Sequence, residues 1–320
     1  MRWGILGAAN FAMTQMGPAI HAAKGAELVA LATSDPAKAT GFSDFAPGLR
    51  VHDSYDALLA DPDVDAVYVP LPNHLHVEWS VKALQAGKHV LCEKPIALHA
   101  DEIDRVIAAR DASGLLAAEA FMIVHHPQFA RARDLLQGGT IGQLRHVEVV
   151  FTYNNPDRAN IRNRPETGGG GLPDIGVYAF GAARFVTGAE PVAITHARID
   201  YENGVDVFAQ VAADFGDFTY GAVVSTRMQS AQAVRFHGDT GIITLTCPFN
   251  AGWADQAELV LDLGDNTRTV ERWPAVNHYV LQVEAFGRAA AGGEAYGCLL
   301  EFSRGTQTMM DMVFAKGGRG

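Results

Sequence analysis

Three side chains in this sequence have the types and spacing to move a proton at a carbinol carbon. Lys94 sits in Glu93-Lys94-Pro95, directly after the apolar run His89-Val90-Leu91-Cys92. Asp174 and Tyr178 stand four residues apart in a helical pattern that follows four consecutive glycines, Gly168 to Gly171. An α-helix would set them on one face about a turn apart, and the glycines would leave room for a ligand to approach the backbone. Oxidising a carbinol needs an acceptor for the hydride and a base for the hydroxyl proton. A tyrosine, with a reference pKa near ~10, needs a nearby cation to be that base. Lys94 can supply the charge and bond the same oxygen, while Asp174 orients the assembly. Taken singly, each residue also fits a plainer role: a surface Lys-Pro turn, a packed tyrosine, an aspartate capping its helix. Arg162, in a polar loop, is a candidate to clamp substrate hydroxyls or a cofactor.

These residues need a frame, and the first 120 residues alternate strand and helix signals. Strands are expected over Arg2-Leu6, Glu27-Thr33, Val64-Val69, Lys88-Cys92 and Leu115-Ala120. Amphipathic helices are expected near Ala12-Ala23, Ser54-Ala60, Leu75-Ala86 and Ala100-Ser113. Such alternation predicts right-handed crossovers and a parallel sheet covered on both faces, with ligands at the carboxyl ends of its strands. Lys94 would stand at such an end, where Pro95 biases it towards an extended backbone.

Beyond Phe121 the rhythm changes. A helix at Gln128-Gln137, a strand at Leu144-Tyr153 and a helix at Leu172-Thr187 precede strand-like segments with little helix between them. These are Val192-Asp200, Val205-Phe215, Phe218-Gln229, Ala233-His237, Ile242-Thr246, Glu258-Leu263 and Thr269-Arg272. Short connections such as Gly216-Asp217 predict a mainly antiparallel sheet in an α+β domain. Helices at Val276-Ala291 and Leu299-Ala315 close the chain, with a mobile tail from Lys316 to Gly320. The expected division is residues 1-121, 122-298 and a C-terminal helix over 299-320 that packs back near the first domain.

The turn Gly7-Ala8-Ala9-Asn10-Phe11-Ala12 follows the first strand and opens the first helix, where a dinucleotide fingerprint belongs. Only the first of the usual three glycines is present. Gly7 can make the tight turn, Ala9 still admits a pyrophosphate, and the helix start offers N-H groups to phosphate. At the end of the second strand, Thr33-Ser34-Asp35-Pro36 with Lys38 beyond carries no acid at its tip. Asp35 fits an N-cap instead. A hydroxyl-rich tip favours NADP, with NAD the alternative. The loop Pro70-Leu71-Pro72-Asn73-His74-Leu75-His76 would lie over the nicotinamide side of the crevice, although Asn73 equally fits a helix N-cap. Glu93 and Lys94 would border it. The His-x-His spacing has no supporting carboxylate or cysteine cluster, so no metal is expected. His125 and His126, before Pro127, are candidates for the pocket or for a hinge or cap.

Composition narrows the class. The chain has 320 residues, 48% of them hydrophobic, enough for two domains with full cores. A net charge of -11 without a long run of one sign excludes charge-driven binding to nucleic acid or anionic membranes. A small-molecule partner is expected. Three scattered cysteines form neither a disulfide framework nor a zinc site. With no signal-peptide pattern and no apolar run of the ~20 residues a span requires, a cytoplasmic protein is expected.

Taken in order, the Gly7 turn, Pro70-Leu71-Pro72-Asn73-His74, Gly87-Lys88-His89-Val90-Leu91-Cys92-Glu93-Lys94-Pro95 and Gly168 to Tyr178 resemble the Gfo/Idh/MocA oxidoreductases nearly end to end. Ala9, Asn160-Ile161-Arg162-Asn163, and Tyr178 in place of a histidine are most similar to one branch. It holds glucose-fructose oxidoreductase, NADP-dependent D-xylose (aldose) 1-dehydrogenase, dimeric dihydrodiol dehydrogenase and 1,5-anhydro-D-fructose reductase. The resemblance implies an N-terminal Rossmann domain and a C-terminal open-faced sheet used for homodimer or homotetramer contacts, with a site at their junction. It further implies hydride transfer between NADP and a sugar or cyclic polyol, with Lys94, Asp174 and Tyr178 catalytic. The arginine that commonly grips the 2'-phosphate in NADP users is missing beside Thr33-Ser34. Two other classes occur with this fold: a non-catalytic NAD(P) sensor, which would not need the triad, and a redox-neutral glycosidase.

Overall fold

The computed structural model describes residues 1–252 and 256–318. They form two compact units, each assembled from two stretches of chain: Met1–His125 with Asn277–Arg304, and His126–Val276 with Gly305 onwards.

The first unit is built on six parallel strands, β1 Arg2–Leu6, β2 Glu27–Ala32, β3 Arg50–His52, β4 Ala66–Val69, β5 His89–Cys92 and β6 Ala117–Glu119, in the order β3-β2-β1-β4-β5-β6. This is the doubly wound order of a dinucleotide-binding sheet, and its direction reverses between β1 and β4. Strand β4 is buried throughout, as a sheet covered on both faces requires. Ser54 caps the helix Tyr55–Leu59 by accepting from Ala57 N, and Gly114 ends the helix Ala100–Ser113 in the left-handed conformation. The expected single helix over Ala12-Ala23 opens instead with a wide π-turn, Ala12–Met16, in which Gly17 N bonds Ala12 O. Pro18, which has no N–H and crowds the carbonyl four residues back, supplies the reason.

The second unit carries eight strands, β7 Leu144–Asn154, β8 Ala193–Glu202, β9 Val205–Asp214, β10 Thr219–Ser225, β11 Arg227–Gly238, β12 Gly241–Leu245, β13 Gln256–Leu263 and β14 Arg268–Pro274. Their order is β14-β13-β12-β11-β7-β10-β9-β8, antiparallel except for the central β7-β10 pair. The helix Val177–Thr187 packs on one face, where Tyr220 OH donates to Ala179 O at 3.0 Å. Val150, Phe208 and Val223, half-buried, stand on the other.

The expected strand Phe218-Gln229 is two strands. The chain bends at Thr226, whose N–H bonds Val207 O at 2.9 Å, and β10 and β11 then lie on opposite sides of β7. The domain division also differs from the expected 1-121 and 122-298. Helix His278–Ala290 belongs with the first unit, because Phe286 packs on Trp3 at 5.2 Å and on His89 at 6.5 Å. The closing helix Leu300–Gly317 is shared. Leu300 joins the core of the first unit, whereas Arg184 donates to Thr306 Oγ1 in the second. The tail expected to be mobile is helical through Gly317, and Tyr201 OH donates to Gly318 O at 2.7 Å. Arg319 and Gly320, the end of the expected 299-320 segment, lie outside the described residues.

Candidate active site

In the first unit, Gly7 has φ +103°, and its N–H bonds Ala32 O at 2.9 Å, tying the end of β1 to β2. A β-carbon here would stand 3.1 Å from Leu71 Cδ2, so the turn needs glycine on two counts. Ala8, Ala9 and Phe11 are half-buried and Asn10 is exposed at the head of the first helix. This close turn against a helix start fits a dinucleotide pyrophosphate. At the tip of β2, Thr33 is buried and Asp35 N–H bonds its hydroxyl at 3.2 Å, while Ser34 and Lys38 are exposed. Asp35 turns away to accept from Ala37 N, as expected of a cap. The tip of β2 thus presents Ser34, Lys38 and the Thr33 hydroxyl, while the Asp35 carboxylate is engaged at its own cap.

Lys94 follows β5 and is half-buried, with a cis Lys94-Pro95 bond. Its surroundings are pinned from several sides. Glu93 N bonds Val69 O at 3.1 Å, Tyr68 OH donates to Glu93 Oε1 at 2.6 Å, and Lys94 N donates to Glu93 Oε2 at 3.2 Å. Buried Glu119 accepts from Ile96 N at 2.8 Å, and burial raises its pKa. Burial likewise raises the Tyr68 phenol well above its ordinary value, so it remains a donor to Glu93.

His76 is fully buried, its ring nitrogens 2.7 Å from Pro95 O and Leu71 O. Burial pushes its pKa down to about 4, so a neutral ring donates to one of the two carbonyls. It braces the lysine loop against the Leu71-Pro72 loop, with both ring nitrogens engaged by main-chain carbonyls. Asn73 opens a short turn whose cap position is Pro72, so it is not the helix N-cap. Among the described residues no group of His, Cys, Asp and Glu could hold a metal ion.

In the second unit, Asp174 and Tyr178 lie on successive turns of different pitch. Asp174 is in the π-turn Leu172–Gly176 and Tyr178 in the α-helix that follows, so simple α spacing does not describe them. Asp174 is 8% exposed, and both its oxygens are engaged: Tyr153 OH donates to Oδ2 at 2.5 Å, Arg162 Nε to Oδ1 at 2.9 Å. Tyr153 belongs to none of the sequence motifs; its position two residues after inward-facing Phe151 on β7 is the signal that marks it. Arg162 is thus placed at this carboxylate, within the second unit. Tyr178 packs edge-on to Phe151 at 5.8 Å and against Phe249 at 5.8 Å.

At Gly169 to Gly171 the space that a side chain would take is filled by the chain itself. A β-carbon at Gly169 would meet Arg162 O at 2.6 Å, and Gly170 N bonds that same oxygen at 2.9 Å. At the chain crossing, His126 caps helix Pro127–Gln137 by accepting from Gln128 N, and His125 Nε2 lies 3.1 Å from Tyr296 OH.

Comparison with known proteins fits this geometry. Residues 1–121 match the oxidoreductase family with NAD-binding Rossmann fold, and residues 129–244 match the GFO/IDH/MocA C-terminal domain. A dTDP-3,4-didehydro-2,6-dideoxy-alpha-D-glucose 3-reductase of Actinomadura kijaniata is 34% identical, over 92% of this chain and 89% of that protein. The chain belongs to the GFO/IDH/MocA oxidoreductase family. Within this family, D-xylose 1-dehydrogenase (NADP(+)) 2 of Haloferax volcanii is also 34% identical, over 92% of this chain and 90% of that one. The crystal structure of a 3-ketoreductase from Actinomadura kijaniata, in complex with NADP and TDP-benzene, superposes with a TM-score of 0.91 at 32% identity. It covers 99% of this chain and 97% of that one. Like these relatives, the GFO/IDH/MocA chain is an oxidoreductase built on a nucleotide-binding sheet and a mostly antiparallel one. Among the described residues no helix is long and apolar enough to cross a membrane.

Proposed function

We propose that the protein moves a hydride reversibly between NADP(H) and a hydroxyl-bearing or keto carbon of a sugar. The bound nicotinamide supplies the hydride acceptor or donor. Tyr178 exchanges the proton of the reacting oxygen, and Lys94 bonds that same oxygen with its ammonium group. Asp174 orients Tyr178. Arg162 and Tyr153 hold Asp174 in turn, one donor on each carboxylate oxygen. The aromatic packing of Phe151 and Phe249 fixes the tyrosine ring and keeps water from it. Gly7, Ala8, Ala9, Asn10 and Phe11 would cradle the pyrophosphate, with Thr33, Ser34 and Lys38 at the 2'-phosphate. Leu71, Pro72 and Asn73 would border the nicotinamide, with Glu93 beside Lys94. The observation that carries this reading is the pinned carboxylate one turn before a buried tyrosine, in a chain whose other unit presents a lysine at the carboxyl end of a nucleotide-binding sheet. NADP-dependent relatives acting on sugars support the cofactor and the substrate class.

The test is a panel: aldoses with NADP, and keto sugars, free and TDP-linked, with NADPH. Turnover read as change in nicotinamide absorbance is expected in one direction at least. NADPH binding without turnover on any member would favour a sensor. Sugar product formed without net nicotinamide change would favour the redox-neutral reaction. We further propose a homodimer or homotetramer in the cytoplasm, formed through the face of the sheet that bears Val150, Phe208 and Val223; light scattering that gives a monomer would refute the assembly.

A further inference from the structure

Asp206 carries no motif in the sequence. It stands second in β9 between Val205 and Val207. In the fold it is 3% exposed and lies at the head of the segment that bears Asp174 and Tyr178. Its Oδ2 accepts from Leu172 N at 2.6 Å. The space it fills is the space two side chains would take. A β-carbon on Gly170 would stand 2.1 Å from Oδ1, and one on Gly171 would stand 3.2 Å from Oδ2. The first turn of a helix has N–H groups with no partner inside the helix, and a carboxyl from a neighbouring strand is answering them here.

We propose that Asp206 is a positioning residue of the reaction centre: anchored on β9, it fixes the Gly170–Leu172 turn and, through that turn, the placement of Asp174 and Tyr178. A second anchor holds the same turn from its other side, where Gly170 N bonds Arg162 O at 2.9 Å and Arg162 Nε reaches Asp174. Among charged groups, the Asp174 carboxylate acts on Asp206, and with burial it pushes the pKa of Asp206 up to about 7. A neutral carboxyl still has a carbonyl oxygen for Leu172 N–H. Asn therefore copies the anchoring form, and Ala removes it. The inference rests on the hydride-transfer reading for its consequence in catalysis, but the anchoring itself can be measured without a substrate.

Hydrogen exchange in peptides covering residues 168–176 and 219–225 provides that measurement, in the wild type and in Asp206→Asn and Asp206→Ala. Measured relative to 219–225, exchange over 168–176 is expected to speed up tenfold or more in Asp206→Ala and to stay near wild type in Asp206→Asn. On the sugar that the panel identifies, kcat of Asp206→Ala should fall more than tenfold with the KM for NADPH within twofold, and Asp206→Asn should recover most of it. If Asp206→Ala does not fold, Gly171→Ala probes the same contact from helical backbone at φ -69°. It should quicken exchange over 168–176 and lower kcat severalfold. Unchanged exchange over 168–176, or kcat and KM for NADPH failing together, would overturn the proposal. A wild type without turnover but with the exchange result as expected would retire the hydride-transfer reading and leave the anchor standing.

Discussion

Replacing Asp206 with asparagine should change how stability depends on pH, in a direction and by an amount that the structure sets. Burial holds the carboxyl's pKa at about 7 against an ordinary value of 3.8. The folded chain therefore binds this proton more tightly than the unfolded chain. The stabilisation is complete below pH 4 and is lost as pH rises through 7. About three units at ~1.4 kcal/mol each give roughly 4 kcal/mol in total, of which roughly 3 kcal/mol falls between pH 5 and pH 8. Asparagine does not titrate, so subtracting its curve from that of the wild type isolates the group. Urea unfolding read through the exchange protection of β9 and β10 amides measures the unit that contains Asp206. The wild type should lose roughly 3 kcal/mol relative to Asp206→Asn between pH 5 and pH 8. A difference flat to within ~1 kcal/mol, or one that grows in favour of the wild type, would show that the backbone donors keep this carboxylate ionised and that the burial argument is wrong.

Two further substitutions probe the two halves of the mechanism. Gly7→Ala, at φ +103° and facing Leu71, should weaken NADPH binding tenfold or more by fluorescence titration and cost about 1–2 kcal/mol of stability in thermal unfolding. Tyr153→Phe removes one of the two donors to Asp174; at about 1.5–3 kcal/mol for a hydrogen bond to a charged group, kcat should fall roughly 10- to 100-fold with NADPH affinity unchanged.

The parallel sheet was readable because buried strands leave continuous apolar runs and their helices leave amphipathic ones. Lys94 and Gly7 were readable because proline and glycine mark backbone geometry locally. What the sequence concealed depends on long-range packing. Strand β3 is three residues long and mostly exposed, so it carries no hydrophobic signal. Helix His278–Ala290 follows the second sheet in the chain yet takes its core partners from Trp3 and His89. Tyr153 and Asp206 sit in ordinary strand patterns, and their meaning comes only from the carboxylate and the turn that folding brings to them. Four successive glycines stand out in the sequence, but the atoms that take the place of their side chains, Arg162 O and the Asp206 carboxyl, come from elsewhere in the chain.

Transfer of label from NADPH deuterated at the C4 hydrogen that is transferred tests the central claim most directly. With the wild type and the keto sugar that the panel identifies, the alcohol product should gain one deuterium, read as ~1 Da by mass spectrometry. Tyr178→Phe should bind NADPH normally and form labelled product at least about 100-fold more slowly. Product without deuterium, or Tyr178→Phe at the wild-type rate, would contradict the account.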